Sequence, residues 1–382
     1  MKKLSISIFL SLLIISCSSI KEASFDDNYI NYYKNQYRVE IPKFYELVNI
    51  MLSISDVGQL DSGLISMNSN YHSNVTNQFM KYKNHKVIKR INRKLRKPEK
   101  TITYLNYLFW QWNALGYKIN ENNNVYHAGI IPQKQMLWFR DPVKRNISEI
   151  NDFINISNFR EFYENHDYYY DSLISQYHQY VPINKMTDWL VKKFPDIEYD
   201  SYLIVISPLI NGTNFTQRFS ANNFTQTIMS VAAIQINEKI NEITNELNNS
   251  RYVFTEIDHN FINPTTDKYL EKINNSFSNK EYWRKKSDLN KIYFDSELIF
   301  NEYMTWALFS LYCIDNYEKV DYEIAIKSME NNMIEGRNFI QFKNFNRKLM
   351  EIYTESSEKN IEKLYDIILD WSFTAQQQAM ND

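Results

Sequence analysis

Glu256 and His259 are the two residues whose types and spacing best suit chemistry. They lie three positions apart in the segment RYVFTEIDHNFINPTTDKY, residues 251–269. Residues three or four apart share one face of a helix, so a helix here would present a carboxylate and an imidazole together. Such a pair suits either metal binding or acid–base catalysis. The helix is predicted to end at Asn263, because Pro264 disfavours the helical conformation in the residue before it.

A second carboxylate, Glu302, lies in the segment FNEYMTWALF, residues 300–309. Asn301 and Glu302 open the polar side of a strongly apolar helix, and Trp306 follows one turn later. A charged group at the edge of a buried surface must be paired, hydrogen-bonded or bound to a metal. Two interpretations follow: Glu302 is a metal ligand, or it forms a salt bridge with a nearby Lys or Arg.

The chain resembles a known family, domain of unknown function 4932. That family is a group of bacterial lipoproteins placed among the peptidase-MA-like zincins. The resemblance extends from Val39 to about Ser372, and its most specific piece is H-x-F-[IV]-N-P, residues 259–264. It is carried by VEIPKFYELVNIMLSIS, NFREFYENHDYYY, YLIVISPLINGTNFTQRF, TEIDHNFINPTTDKY and FNEYMTWAL.

The resemblance implies a gluzincin-like zinc site. In that pattern His259 matches the second His ligand, Glu256 the general base, and Glu302 the downstream carboxylate ligand. Thr255 occupies the place of the first His. This departure matters because a catalytic zinc has three protein ligands and an open position for water, and a neutral hydroxyl is a poor ligand.

Three arrangements could accommodate Thr255. Glu256 could turn to the metal, giving a Glu/His/Glu set that would bind zinc more weakly or suit a harder ion. A distant residue could supply the third nitrogen. The remaining polar groups could also bond to one another around an empty site. The candidates for the distant nitrogen are His72, His85 and His127.

Two functions follow from these arrangements. With metal bound, the chain would be a membrane-anchored metallopeptidase acting on peptide bonds: the ion lowers the pKa of a bound water, whose proton Glu256 accepts as the water attacks a carbonyl. Tyr269 and Tyr303 are candidates to stabilise the oxyanion, on proximity in sequence alone. Without metal, it would be a catalytically inactive envelope lipoprotein that binds peptide or glycan in the former cleft. A purely structural envelope protein is a third possibility.

The N-terminus predicts export and lipidation. Lys2 and Lys3 precede a short apolar run, which is typical of a signal peptide. Ser16 and Cys17 end that run in an arrangement that resembles the lipobox of bacterial lipoproteins, and the alternative is an ordinary cleaved signal with an incidental Cys. We therefore expect a signal peptide over 1–16, a lipidated Cys17 and a tether over 17–36. The predicted location is the cell envelope, anchored by lipid to the outer membrane and facing the periplasm or the surface.

Charge and cysteine content narrow the partners. A net charge of −2 argues against a nucleic-acid surface, which needs a basic excess. Cys313 lies in an apolar helical run and is predicted to be a buried thiol. Nothing in the sequence indicates an oligomeric state.

Hydrophobic periodicity predicts a mostly helical α+β fold. Apolar runs at 201–210 and 226–234 are predicted strands, and 155–181 and 237–264 are predicted long helices. The expected architecture is a zincin-like domain over 37–382, with a small mixed sheet packed on the motif helix. Residues 37–195 would form its mainly helical part, and 196–382 would hold the sheet and the motif helices.

Overall fold

The computed structural model describes residues 20–97, 100–128, 141–287, 293 and 295–381. Within this part the fold is α+β and mostly helical with a small mixed sheet, so the predicted class is confirmed. The chain divides into two compact units. The sheet unit comprises Ser19–Gln179 and Tyr199–Ile234, and the helical unit comprises Tyr180–Glu198 and the chain from Gln235 onward.

The sheet unit is built on five strands. Their order is β1-β6-β7-β5-β2, and every pair is parallel except the antiparallel pair β6 and β7. The strands are β1 Lys21–Glu22, β2 Gln36–Glu40, β5 Ser201–Ser207, β6 Phe215–Ala221 and β7 Phe224–Ala232. A separate hairpin joins β3 Tyr117–Ile119 to β4 Val125–His127. The two predicted strands correspond to β5 and β7, whereas β6 has a polar sequence, FTQRFSA, that gave no apolar run.

The N-terminal segment differs from the predicted tether. Of residues 17–36, those from Ile20 onward are described, and they contain β1, the helix α1 Asp27–Tyr33 and the start of β2. β2 pairs with β5 from Gln36 to Glu40, so this polar segment is built into the sheet. The sheet is also not confined to the predicted second part of the domain, because β1 and β2 precede residue 41.

Seven further helices lie in the described part of the sheet unit. They are α2 Lys43–Ser53, α3 Asn70–Phe79, α4 Lys86–Leu95, α5 Lys100–Ala114, α6 Ile147–Ser157, α7 Phe159–Glu164 and α8 Asp167–Tyr180. The helix predicted over 155–181 is wrong as a single element. Asn158 adopts a left-handed conformation with φ of 54° and separates α6 from α7, and asparagine tolerates this conformation better than most residues.

The helical unit holds the candidate site. Its helices are α9 Ile183–Lys193, α10 Glu242–Lys268, α11 Leu270–Ser276, α12 Lys280–Trp283, α13 Ser296–Asn316, α14 Lys319–Asn331, α15 Phe342–Glu355 and α16 Tyr365–Asn381. Every residue of α13 from Leu298 to Cys313 is buried, as expected for a helix that is apolar all round. Cys313 is fully buried and unbridged, which confirms the prediction for this thiol.

Pro264 does not end the motif helix. α10 continues to Lys268 with Pro264 inside it, so the predicted end at Asn263 is wrong. An interior proline removes one backbone hydrogen bond and costs about 3 kcal/mol. The buried side chains on both sides of it, Phe261, Ile262, Thr265 and Thr266, offset this cost by packing. Tertiary burial therefore outweighs the local preference here.

The sheet belongs to one unit and the motif helix to the other, so the packing of one on the other stays a prediction. Among the described residues, no helix has both the length and the apolar character needed to cross a membrane.

Candidate functional site

The helices α10 and α13 lie antiparallel and bring the predicted site residues together. The Thr266 hydroxyl donates to Asn301 Oδ1 at 2.6 Å near one end of the contact. Tyr252 meets Trp306 near the other end, edge to face, with ring centroids 6.0 Å apart. Between these two contacts His259 Nε2 lies 4.0 Å from Glu302 Oε1.

Local sequence explains how each helix is fixed. The side chain of Asn241 caps α10 by accepting from the Thr244 N–H, and that of Asp295 caps α13 by accepting from the Leu298 N–H. Phe254 of α10 packs on Phe309 and Tyr312 of α13 with ring centroids 5.6 and 5.0 Å apart. The two helices are therefore held in register beneath the site.

Glu302 is held by an arginine and a tryptophan. Arg337 Nη2 lies 3.0 Å from Glu302 Oε2, and Trp306 Nε1 donates to the same oxygen at 3.3 Å. The guanidinium also lies 5.0 Å from the centre of a Trp306 ring and donates to the Tyr293 hydroxyl at 2.8 Å. Burial alone would lower the pKa of Arg337, but the charge of Glu302 raises it, so the guanidinium stays charged. Of the two interpretations of Glu302, the salt bridge is the one the structure contains.

Arg337 was not found from the sequence. It follows a π-helical turn, Asn332–Gly336, at the end of α14. π-helical turns are rare and occur frequently at functional sites, since they redirect the chain by one residue. The next residue, Asn338, has φ of 63°. The only signal in the sequence was the need of Glu302 for a cation, and that need does not identify which one.

Two neighbouring acids of α10 favour their neutral forms. Burial, followed by the charge of Glu302, raises the pKa of Glu256 to about 8. Burial also raises the pKa of the fully buried Asp258 well above its ordinary value, with Glu256 and Glu302 adding to the rise. Without a metal ion nearby, Glu256 is thus mostly protonated at neutral pH, whereas a general base must be deprotonated before it accepts a proton.

Thr255 is engaged within its own helix. Its hydroxyl donates to the Tyr252 carbonyl at 3.0 Å, and the residue is buried. This bond is the local one that threonine forms inside helices. The position that would carry the first His ligand therefore provides no metal ligand between His259 and Glu302.

The donors present do not fit a catalytic zinc. A tetrahedral zinc holds a nitrogen and an oxygen ligand about 3.3 Å apart, so His259 and Glu302 would have to approach by roughly 0.7 Å. One oxygen of Glu302 is already bound by Arg337 and Trp306. Within the described ranges, no three His, Cys, Asp or Glu side chains are grouped so that they could hold a metal ion.

The distant histidines lie in the sheet unit with their own surroundings. His85 Nε2 lies 2.9 Å from Asp152 Oδ2, and His127 packs edge to face on Tyr117. Burial lowers the pKa of His72, a helix residue of α3. The prediction that one of them supplies a third ligand gains no support from these contacts.

The two tyrosines predicted to stabilise an oxyanion are engaged elsewhere. Tyr269 lies ten residues after His259, about 15 Å along the helix axis, and donates to the Glu362 carbonyl at 3.3 Å. The fully buried Tyr303 donates to the Trp283 carbonyl at 2.6 Å and accepts from the Gln341 N–H. Both are structural residues in this arrangement. The predicted lipidation site, Cys17, lies outside the described residues.

The chain matches no family model, no curated protein and no solved structure. The resemblance to the zincin-like lipoproteins accordingly stays a prediction that depends on the motif residues.

Proposed function

We propose that this chain is a zincin-like domain that binds peptide without cleaving it. The observation that carries the proposal is the contact of Arg337 with Glu302 at 3.0 Å, where the resemblance implies a metal ion. The guanidinium gives this carboxylate a permanent positive partner, and it cannot activate water by lowering its pKa as a metal does.

The neutral acid supports the same proposal. Glu256 corresponds to the general base in the resemblance, yet its raised pKa of about 8 keeps the proton on it at neutral pH. A neutral carboxyl donates one hydrogen bond and accepts another, which suits the amide groups of a peptide backbone. Binding is therefore the chemistry that Glu256 can perform without a metal ion.

The rim of the site offers surfaces for a peptide. Tyr252 is 42% exposed. The side chains of Arg337 and His259 are 30% and 20% exposed. Aromatic and arginine side chains are the groups most enriched at binding hot spots, since they combine apolar area with a fixed polar end. Tyr252 and Arg337 are such groups beside the carboxylate, and both lie against the buried ring of Trp306.

Zinc content and proteolysis test the absence of catalysis. Purified protein is incubated with zinc, freed of excess ion and measured by elemental analysis, and hydrolysis of a random peptide pool is followed by mass spectrometry. We expect well under one zinc per chain and no cleavage from the wild type. A stoichiometric zinc that is lost in His259→Ala, with cleavage lost in Glu256→Gln, would instead establish the metallopeptidase.

The variant Thr255→His tests whether the rest of a zinc site survives. Alone it adds a nitrogen while Arg337 still holds Glu302, and we expect little zinc. Combined with Arg337→Met it frees the carboxylate, and we expect the double variant to gain zinc. Equal zinc content in the single and double variants would contradict the role given to Arg337.

Peptide binding is tested directly by the quenching of tryptophan fluorescence with a random tetrapeptide pool. Replacing Trp306 by Phe should weaken binding at least tenfold. The matched control Trp371→Phe removes a tryptophan from α16 and should leave the affinity unchanged. Equal affinities for both variants would contradict binding at this site.

We also propose that the domain is attached to the cell envelope through lipidated Cys17. The proposal rests on the lipobox-like arrangement of Ser16 and Cys17. Metabolic labelling with palmitate should mark the wild type and not Cys17→Ser. Equal labelling of both would contradict it.

A further inference from the structure

Arg251 is a buried cation that lacks a counter-charge among the described residues. It is only 7% exposed, and its Nε and Nη1 atoms are buried with no hydrogen-bond partner. Its one hydrogen bond runs from Nη2 to the Tyr252 hydroxyl at 3.1 Å, with the guanidinium 4.8 Å from the centre of that ring. An aromatic face compensates a buried guanidinium only in part.

A second unsatisfied polar group lies on the helix that faces Arg251. Ser310 of α13 is fully buried, and its hydroxyl has no hydrogen-bond partner in the part of the chain described. Trp306, Ser310 and Cys313 follow one another by four and three residues, so they share one face of α13. Trp306 packs on Tyr252 from that face. The guanidinium of Arg251 lies 4.8 Å from the centre of the Tyr252 ring, so Arg251 lies beside the face of α13 that Tyr252 contacts.

An unpaired buried charge and an unpaired buried hydroxyl are each costly, and neither can be relieved by its own helix. A single small anion would relieve both, because it accepts from the guanidinium and from the hydroxyl at once. A carboxylate has this capacity, with two oxygens and about four acceptor positions.

We propose that Arg251 and Ser310 form a carboxylate-binding site that receives the C-terminal carboxylate of the peptide bound at the candidate site. The peptide source of the carboxylate rests on the proposed function, whereas the anion site itself does not. Arg251 lies eight residues before His259 on α10, about 12 Å along the helix axis. An extended chain covers that distance in about four residues. The site would therefore select short C-terminal segments over internal ones.

The first experiment uses wild-type protein and two random tetrapeptide pools, one with a free C-terminal carboxylate and one with a C-terminal amide. We expect the free acid to bind at least tenfold more tightly. Arg251→Met keeps the length of the side chain and removes its charge, and it should abolish the difference between the pools. The matched control is Lys319→Met, which removes an exposed cation of α14 that pairs with Glu323. It should keep the tenfold difference.

The second experiment separates the anion site from the peptide function. Thermal unfolding is measured in acetate, phosphate and chloride at constant ionic strength. Acetate should raise the unfolding temperature of the wild type and of Lys319→Met, but not that of Arg251→Met or Ser310→Ala. If neither pool binds while acetate behaves in this way, the peptide function fails and the anion site stands.

The opposite outcomes overturn the anion site. Equal affinities of the wild type for the free-acid pool and the amide pool would show that the C-terminal carboxylate of the peptide is not recognised. Acetate without effect on the wild type would show that the space beside Arg251 holds water only. Should Arg251→Met fail to fold, Ser310→Ala and the two wild-type comparisons still decide the matter.

Discussion

The substitution Glu256→Gln should stabilise the protein at neutral pH, although it replaces the residue that the resemblance identifies as a catalytic base. Glutamine keeps the shape of the side chain and cannot ionise. In the folded chain burial and Glu302 raise the pKa of Glu256 from 4.5 to about 8. The unfolded chain, by contrast, ionises at the ordinary value. The folded state of the wild type must therefore retain a proton that the unfolded state has released.

The magnitude follows from linkage. A group whose pKa is raised in the folded state makes its full contribution to the free energy of unfolding below its pKa in the unfolded chain. That contribution is lost as the pH rises toward its pKa in the folded chain. At pH 7 the cost is about 1.4 kcal/mol for each unit between 4.5 and 7, or roughly 3 kcal/mol. Because Glu256 is partly exposed and its charge is coupled to that of Glu302, we expect about half of this figure or more.

The assay is urea unfolding at pH 4 and pH 7, followed by tryptophan fluorescence. Glu256→Gln should differ little from the wild type at pH 4, where both states are protonated. It should be about 1.5–3 kcal/mol more stable at pH 7. The control Glu355→Gln changes a solvent-exposed glutamate of α15 and should show no such dependence on pH. A stability difference that is the same at both pH values would refute the reasoning, because it would mean that Glu256 is already ionised in the folded protein.

Three further predictions concern other contacts. Arg337→Met leaves Glu302 without its cation and should destabilise the protein by about 2 kcal/mol, less than a fully buried pair because Arg337 is partly exposed; an unchanged urea midpoint would contradict the pairing. Pro264→Ala restores a backbone N–H inside α10 and should stabilise the chain by about 1–2 kcal/mol, and a loss of stability would mean that the proline ring is needed for packing. Tyr71→Phe removes the donor to the buried Glu46, whose pKa burial raises to about 7; the loss of stability should be greater at pH 8, where the carboxylate is charged, than at pH 5, and equal losses would contradict it.

Local rules account for part of the site. Helical periodicity places Glu256 and His259 on one face, and an apolar helix with one carboxylate at its edge requires a partner for Glu302. The separation of 4.0 Å between His259 and Glu302 joins two different helices, and only the resemblance, not a local rule, assigned these residues to one site. Buried strands β5 and β7 were also recognisable, because a continuous apolar run is the pattern of a strand buried on both faces.

What could not be predicted depends on contacts between distant parts of the chain. Arg337 lies 35 residues after Glu302, and a π-helical turn without a sequence signature places it there. The polar segment around Gln36 becomes a strand only because β5 offers it an edge to pair with. Pro264 is tolerated because of the packing around it, which a local rule does not include.

The route of the backbone has a practical consequence. The chain leaves one compact unit for the other after Gln179, Glu198 and Ile234. No single protease cut can release either unit intact, and a truncation near residue 195 would leave both without essential pieces. During synthesis, the stretch from Tyr180 to Glu198 cannot pack into its own unit until Gln235 and the residues after it have been made. Fragments of this protein are therefore expected to regain structure only when complementary fragments are mixed.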